Sequence, residues 1–313
     1  MTARGTTRWL SQSYGRIRDD GFDGVVTSLY PPYYKCLYGV SRATVSPTSV
    51  FERSWDVLVV LDACRLDLFR EVAPEYPFLG AVDELTSVDT MTPEWMRNTF
   101  VSAYDDEMAE THYVCGNPFS ASVLDGERFD VLDEVWRDSW DDGLRTLPPR
   151  AVTDAAIAAA RERDPERLIV HYMQPHWPFV PALDADYYDG LSPDDFGGHN
   201  PTDVWEQLRH GEVERERVWD DYRANLRYAL DEVGVLLSNV DAERVAITSD
   251  HGNAMGEWFV YGHPRHMPLR CLRAVPWVET TATDEGTREA NRSVSGRETD
   301  ADVSARLREL GYV

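Results

Sequence analysis

Apolar residues along this chain follow two periods. Val57–Leu61, inside the stretch Ser54–Asp62, is an uninterrupted aliphatic run, and Arg167–Tyr172 and Val245–Thr248 repeat the pattern; His112–Cys115 is a shorter version. Runs of this length without polar alternation predict strands buried on both faces. Other stretches carry apolar residues at helical spacing. Leu66, Phe69 and Val72 do so within Ala63–Val72, Val152–Arg163 is rich in alanine, and Arg217–Val240 places Val218, Tyr222, Leu226, Leu230, Val233 and Leu237 along one face. These predict amphipathic helices. Strands and helices alternate, so the expected architecture is α/β: a doubly wound, mostly parallel sheet with helices on both faces.

The remaining stretches are less periodic. Trp9–Val26 has mixed helical character, and Leu29–Tyr38 is aromatic and broken by two prolines. Residues 120–150 are polar and acidic and read as surface helix and loop; residues 183–212 are rich in Asp, Gly and Pro and read as an inserted loop. Residues 279–300 hold few hydrophobic side chains and read as mobile, and Asp302–Val313 reads as a short closing helix. The expected division is a leader over 1–50, a main domain over 51–278 and a tail over 279–313.

Composition narrows the setting. In 313 residues, 31 basic and 55 acidic side chains leave a formal net charge of −24, and Lys35 is the single lysine. Acid spread along the whole chain with lysine almost absent is what a salt-rich cytoplasm favours, where ions screen the repulsion; the competing reading is a surface that binds cations or basic partners. Nucleic acid is disfavoured as a partner, because a phosphate backbone demands a basic face. Cys36, Cys64, Cys115 and Cys271 are scattered without CxxC spacing, so neither a zinc knuckle nor a disulfide framework is indicated. There is no apolar signal core at the amino terminus and no run of membrane-span length, so a cytoplasmic protein is expected. The tyrosines of Leu29–Tyr38 either pack on the core or form a peripheral contact surface for a partner or membrane interface.

The chemistry gathers at strand ends. Val245–Thr248 runs into Ser249-Asp250-His251-Gly252, and Val57–Leu61 runs into Asp62. His171, His176 and His263 lie at comparable places, and Thr90 and Thr92 stand at a helix start marked by Pro93. Open α/β sheets place their sites at the carboxyl ends of strands. Carboxylates with imidazoles suit a divalent cation (Mn, Zn, Ca or Mg), and such a cation can lower the pKa of a coordinated hydroxyl. A threonine at a helix amino terminus then becomes a nucleophile candidate. Thr92, preceding Pro93, reads as the helix N-cap. Arg65, one turn past Asp62, either clamps an oxyanion or pairs with Asp67; Glu257 either orients His263 or lies at the surface.

Three blocks, Val57-Leu-Val-Val-Leu-Asp-Ala-Cys-Arg-Leu-Asp67, His171-Tyr-Met-Gln-Pro-His-Trp-Pro-Phe179 and Thr248-Ser-Asp-His-Gly-Asn-Ala-Met-Gly-Glu257 with Gly262-His-Pro264, resemble the alkaline phosphatase/sulfatase superfamily, nearest its sulfatase-like and phosphoglycerol-transferase-like branch. The closing Arg306-Leu-Arg-Glu-Leu-Gly-Tyr312 resembles sulfatase-like proteins of halophilic archaea. The resemblance implies a catalytic domain over 51–278, with Asp62, Asp250 and His251 as metal ligands and His176 as a substrate contact. It assigns the late Gly-His to His263, with His266 as the alternative. It implies a metal-coordinated nucleophile at a helix start, which is Thr92 or else Thr90. Formylglycine sulfatases need Cys-x-Pro-x-Arg, which no cysteine here provides, so a threonine acting on phosphate esters of small molecules, glycans or lipids is expected; the alternatives are a sulfuric-ester hydrolase working without formylglycine and a non-catalytic protein that binds a metal or an anionic group. One metal held by Asp62, Thr92, Asp250 and His251 is the expected arrangement; His171, His176 or His263 could hold a second.

Overall fold

The computed structural model describes residues 3–183 and 203–290. The chain falls into two compact units, Met1–Val45 with His266–Pro268, and Ser46–Arg265 with Leu269–Val313. In the first unit, helix α1 runs over Ala3–Thr44 with Pro31 and Pro32 inside it. The stretch expected to be broken by prolines is therefore helical. No described helix is long and apolar enough to cross a membrane.

The second unit is built on a mixed seven-stranded sheet. Its strands, in chain order, are β1 (Val57–Asp62), β2 (Asp83–Thr86), β3 (Thr111–Cys115), β4 (Val131–Glu134), β5 (Arg167–Pro175), β6 (Ala242–Ser249) and, after a two-stranded hairpin of β7 (Ala254–Met255) and β8 (Tyr261–Gly262), β9 (Ala274–Ala282). The spatial order is β2-β9-β6-β1-β5-β3-β4. Strands β6, β1, β5, β3 and β4 pair in parallel, and β9 runs antiparallel to both β6 and β2. The doubly wound, mostly parallel α/β architecture is thus present, with an antiparallel edge.

Every residue of β1 is buried, as its aliphatic run requires of a central strand. Helices α2 (Leu66–Val72), α3 (Thr92–Thr99), α4 (Pro149–Arg163) and α5 (Arg215–Leu237) surround the sheet. Helix α5 buries Val218, Tyr222, Leu226, Leu230, Val233 and Leu237, the face expected from its spacing, and Asn225 with them.

The structure differs from what the sequence predicts at three further places. Within 120–150, β4 extends the sheet and Trp136 is completely buried, so this acidic stretch is not all surface. Residues 279–282 belong to β9. Thr92 is the first helical residue and not the N-cap: Met91 holds the cap position without a side-chain cap bond, and the Thr92 hydroxyl points elsewhere. Most of the inserted loop (184–202), part of the expected mobile stretch (291–300) and the closing helix at 302–313 lie outside the described residues.

Candidate active site

Two neighbouring parallel strands end side by side. Leu61 of β1 pairs with Ser249 of β6, so Asp62 and Asp250 emerge together at the carboxyl edge. Ser249 ties the two ends: its hydroxyl accepts from the Cys64 N–H at 2.8 Å and donates to the His251 carbonyl at 2.6 Å. The Asp250 Oδ1 accepts from the N–H groups of Ala63 (2.9 Å) and His251 (2.7 Å), which leaves Oδ2 facing Thr92. Ala63 adopts φ 57°, a left-handed conformation that costs a non-glycine residue about 1 kcal/mol or more. That turn brings its N–H onto Asp250 directly after Asp62.

Thr92 Oγ1 lies 2.8 Å from Asp250 Oδ2, 3.1 Å from His251 Nε2 and 3.5 Å from Asp62 Oδ2. His251 Nε2 is 3.3 Å from Asp250 Oδ2 and 4.0 Å from Asp62 Oδ1. Asp62, Thr92, Asp250 and His251 are all fully buried. The His251 Nδ1 faces the Gly252 carbonyl at 2.8 Å. A carbonyl only accepts, so Nδ1 carries the proton and the Nε2 lone pair is turned toward Thr92. This is how metal-binding imidazoles are commonly oriented.

These residues fit a divalent cation. Asp62 Oδ1 is buried and has no hydrogen-bond partner, and burial, followed by the Asp250 charge, raises the Asp62 carboxyl well above its ordinary range. Two buried carboxylates facing one another call for a positive charge between them. Tetrahedral coordination at 2.0–2.3 Å places ligand atoms about 3.3–3.8 Å apart, and the separations of 2.8–4.0 Å among these four side chains bracket that range. His171 offers a further donor. Its Nε2 is buried without a partner while Nδ1 pairs with the Tyr113 hydroxyl at 2.7 Å, and a ring nitrogen of His171 lies within 4.8 Å of a carboxylate oxygen of Asp62 and of Asp250. Burial lowers the pKa of His171 to about 4, which keeps its ring neutral and available as a ligand.

Beside this group sits a histidine pair. The His263 ring stacks on His251 with centroids 4.8 Å apart, and His263 Nε2 meets His176 Nε2 at 3.0 Å. His176 Nδ1 donates to the Trp177 carbonyl, so His176 Nε2 accepts and His263 Nε2 must carry the hydrogen. Burial, reinforced by the neighbouring His251, lowers His176 to about 4 and drives His263 well below its usual value. Both rings are neutral at pH 7.

Four sequence candidates fall elsewhere. The Thr90 hydroxyl donates to the Pro264 carbonyl at 2.6 Å. Arg65 places Nε and Nη2 on Asp67 (2.9 and 2.6 Å) and Nη1 on the Asn253 carbonyl and Glu257 (2.8 Å each), so its guanidinium fastens the loop after the Asp-His pair. Glu257 bonds Arg65 and the Met255 N–H, not His263. His266 belongs to the helical unit, with its ring 5.0 Å from Tyr38. One contributor has no advance signal: Asn117, in the turn after β3, donates from Nδ2 to Asp62 Oδ2 at 2.7 Å. Only its place just beyond the end of a parallel strand could have suggested it.

No family model matches the chain, and no curated protein matches it. Solved structures similar to it include the soluble domain of lipooligosaccharide phosphoethanolamine transferase A from Neisseria meningitidis, with 14% identity over 75% of this chain and 77% of that one and a TM-score of 0.46. The C-terminal periplasmic domain of EptC from Escherichia coli, in complex with Zn, is 11% identical over 76% and 77% of the two chains, with a TM-score of 0.45. A 2-O GAG sulfatase is 13% identical over 80% and 66%, with a TM-score of 0.44. The solved structures similar to this chain thus include a phosphoethanolamine transferase and a sulfatase, 14% and 13% identical to it.

Proposed function

We propose that this chain is a metal-dependent hydrolase or transferase acting on phosphate esters through Thr92. One observation carries the reading: a threonine hydroxyl at the first position of a helix is held within 3.5 Å of two buried carboxylates and an imidazole lone pair. Asp62, Thr92, Asp250 and His251 would hold a divalent cation, with His171 in reach for an additional contact. The cation, when bound, supplies charge that lowers the threonine pKa and polarises a phosphoryl oxygen.

The residues then act in two steps. Thr92 Oγ1 attacks phosphorus, its proton passing to Asp250 Oδ2, the acceptor it already faces; the Oγ1–P bond forms and the bond from phosphorus to the leaving oxygen breaks. The amino end of α3 favours the negative charge that collects there. In the second step, water or an acceptor alcohol attacks the phosphothreonine, the P–O bond to the new oxygen forms, and the bond to Oγ1 breaks. Thr92 recovers its proton. The attacking hydroxyl loses its own to the His176–His263 pair, whose weakly basic rings become better acceptors beside a charged phosphoryl group. Water gives hydrolysis and an alcohol gives transfer.

The test is a side-by-side assay of aryl phosphate, bis-aryl phosphate and aryl sulfate with added manganese or zinc. The account expects phosphoester cleavage, a loss of at least about a thousandfold in kcat/KM for Thr92→Ala, and partial activity for Thr92→Ser. Cleavage that survives Thr92→Ala removes this threonine from the chemistry, and turnover of the sulfate alone replaces the substrate class.

A further inference from the structure

The buried face of α5 carries two polar residues among its aliphatic ones. Tyr222 and Asn225 are both completely buried and stand three apart, so they share that face. A helix that only covered a sheet would bury apolar side chains at such positions, because a buried polar group without partners is costly. Each of these two has partners, and they lie on different halves of the candidate site.

The Tyr222 hydroxyl donates to the carbonyl of Ala63, the left-handed residue that follows Asp62 and gives its N–H to Asp250. Asn225 holds the other half. Its Nδ2 lies 3.1, 3.0 and 3.3 Å from the carbonyls of Pro175, His176 and Pro178, and its Oδ1 accepts from the Val180 N–H at 3.2 Å. Prolines at 175 and 178 remove two N–H groups from this segment, which limits the backbone bonds it can make for itself. One amide gathers three of its carbonyls instead. The Tyr222 ring also stacks on Phe179, three residues beyond His176, with centroids 5.6 Å apart.

We infer that Tyr222 and Asn225 are positioning residues that hold the two halves of the site in register from one turn of α5. Tyr222 sets the Asp62–Ala63 turn that the cation needs; Asn225 sets the backbone that aims His176 at His263. The assignment of the halves rests on the proposed function, whereas the coupling can be measured without turnover.

The experiment compares the full chain with its Tyr222→Phe and Asn225→Ser variants through two readouts besides activity. One is zinc affinity, by competition with a chelating indicator. The other is the rate at which diethyl pyrocarbonate modifies His176, followed by peptide mass spectrometry. Tyr222→Phe is expected to weaken zinc binding about 10-fold or more, the usual scale for removing a group that orients a ligand, and to leave His176 modification at the wild-type rate. Asn225→Ser is expected to leave zinc affinity within about twofold, to raise His176 modification about 10-fold, and to lower kcat/KM on aryl phosphate on the same scale. General loosening of the fold would move both readouts in both variants, and that result overturns the inference, as does an absence of change in either. If Asn225→Ser does not fold, Asn225→Asp, which keeps the volume and the acceptor for Val180, takes its place under the same criteria. A wild-type protein that binds zinc but cleaves no phosphate ester contradicts the proposed function alone, and one that binds no zinc contradicts both.

Discussion

Replacing Asp62 with Asn is expected to change stability with opposite sign in the metal-free and metal-loaded protein. Asp62 is fully buried, has one carboxylate oxygen without a partner, and lies beside Asp250. Without a cation that arrangement opposes folding whenever Asp62 is ionised, and the asparagine keeps an oxygen for the Asn117 amide while removing the charge. Relieving an unsatisfied buried charged group is worth about 1–3 kcal/mol, or a rise of about 2–6 °C in Tm for a domain of this size. With zinc saturating, the variant has lost a ligand. A roughly thousandfold weaker affinity removes about 4.1 kcal/mol of ligand-linked stability, which exceeds the gain. The pH dependence follows from linkage. A carboxyl whose folded pKa is raised stabilises the fold below its unfolded value of 3.8, and that contribution is lost as pH rises through the raised value. The metal-free wild type should therefore lose Tm over that interval, and Asp62→Asn should lose less. Thermal denaturation of both proteins from pH 4 to 8, in chelator and in zinc, measures all of this. A variant less stable than wild type in chelator, or one with an undiminished zinc-induced rise in Tm, refutes the reasoning.

Other substitutions test other parts of the account. A Cβ at Gly252 would lie 2.1 Å from the Cys271 carbonyl oxygen, so Gly252→Ala must displace the backbone next to His251. It should cost about 3 kcal/mol or more in urea denaturation and weaken zinc binding with it. Ala63→Val puts a β-branched side chain at φ 57° in a fully buried position, with an expected loss of about 3 kcal/mol or more in the same assay. Burial would raise the Glu257 carboxyl, but Arg65 and the Met255 N–H outweigh it and hold the pKa below 4.5. Stability from this group is present above pH 4.5 and is lost as pH falls through the lowered value; Glu257→Gln should flatten that acid limb of Tm against pH. With a net charge of −24, Tm should climb as KCl shortens the screening length from about 10 Å at 0.1 M to about 3 Å at 1 M. A flat or falling curve would show that self-repulsion does not limit this fold.

What could be read from the sequence follows how local each signal is. The aliphatic runs of β1, β5 and β6 and the stripe on α5 are legible because burial on both faces, or on one face, imposes a period on neighbouring residues. Asp62, Asp250 and His251 were legible for the same reason, being polar residues at the ends of apolar runs. Strands β2 and β9 were not, because an edge strand and its antiparallel neighbour carry exposed polar residues such as Asp83, Glu84 and Glu279 and show no clean period. The prolines of α1 suggested a break that the helix does not have. The sequence marks Thr92 as an N-cap, yet it stands one residue further in, and the feature that separates it from Thr90 is tertiary: one hydroxyl meets Asp250 and the other meets the Pro264 carbonyl. Asn117, Tyr222 and Asn225 have no local signal, since the site groups they bond lie 45 or more residues away.

The account stands or falls most directly on the covalent intermediate. The purified protein, loaded with zinc or manganese, is mixed with an aryl phosphate and quenched in acid within the first turnovers, and the peptide covering residues 83–97 is sequenced by mass spectrometry. The account predicts a phosphoryl group on Thr92, absent without substrate and absent in Thr92→Ala. Sustained turnover with no label on this peptide, or a label on Thr90 in its place, contradicts it.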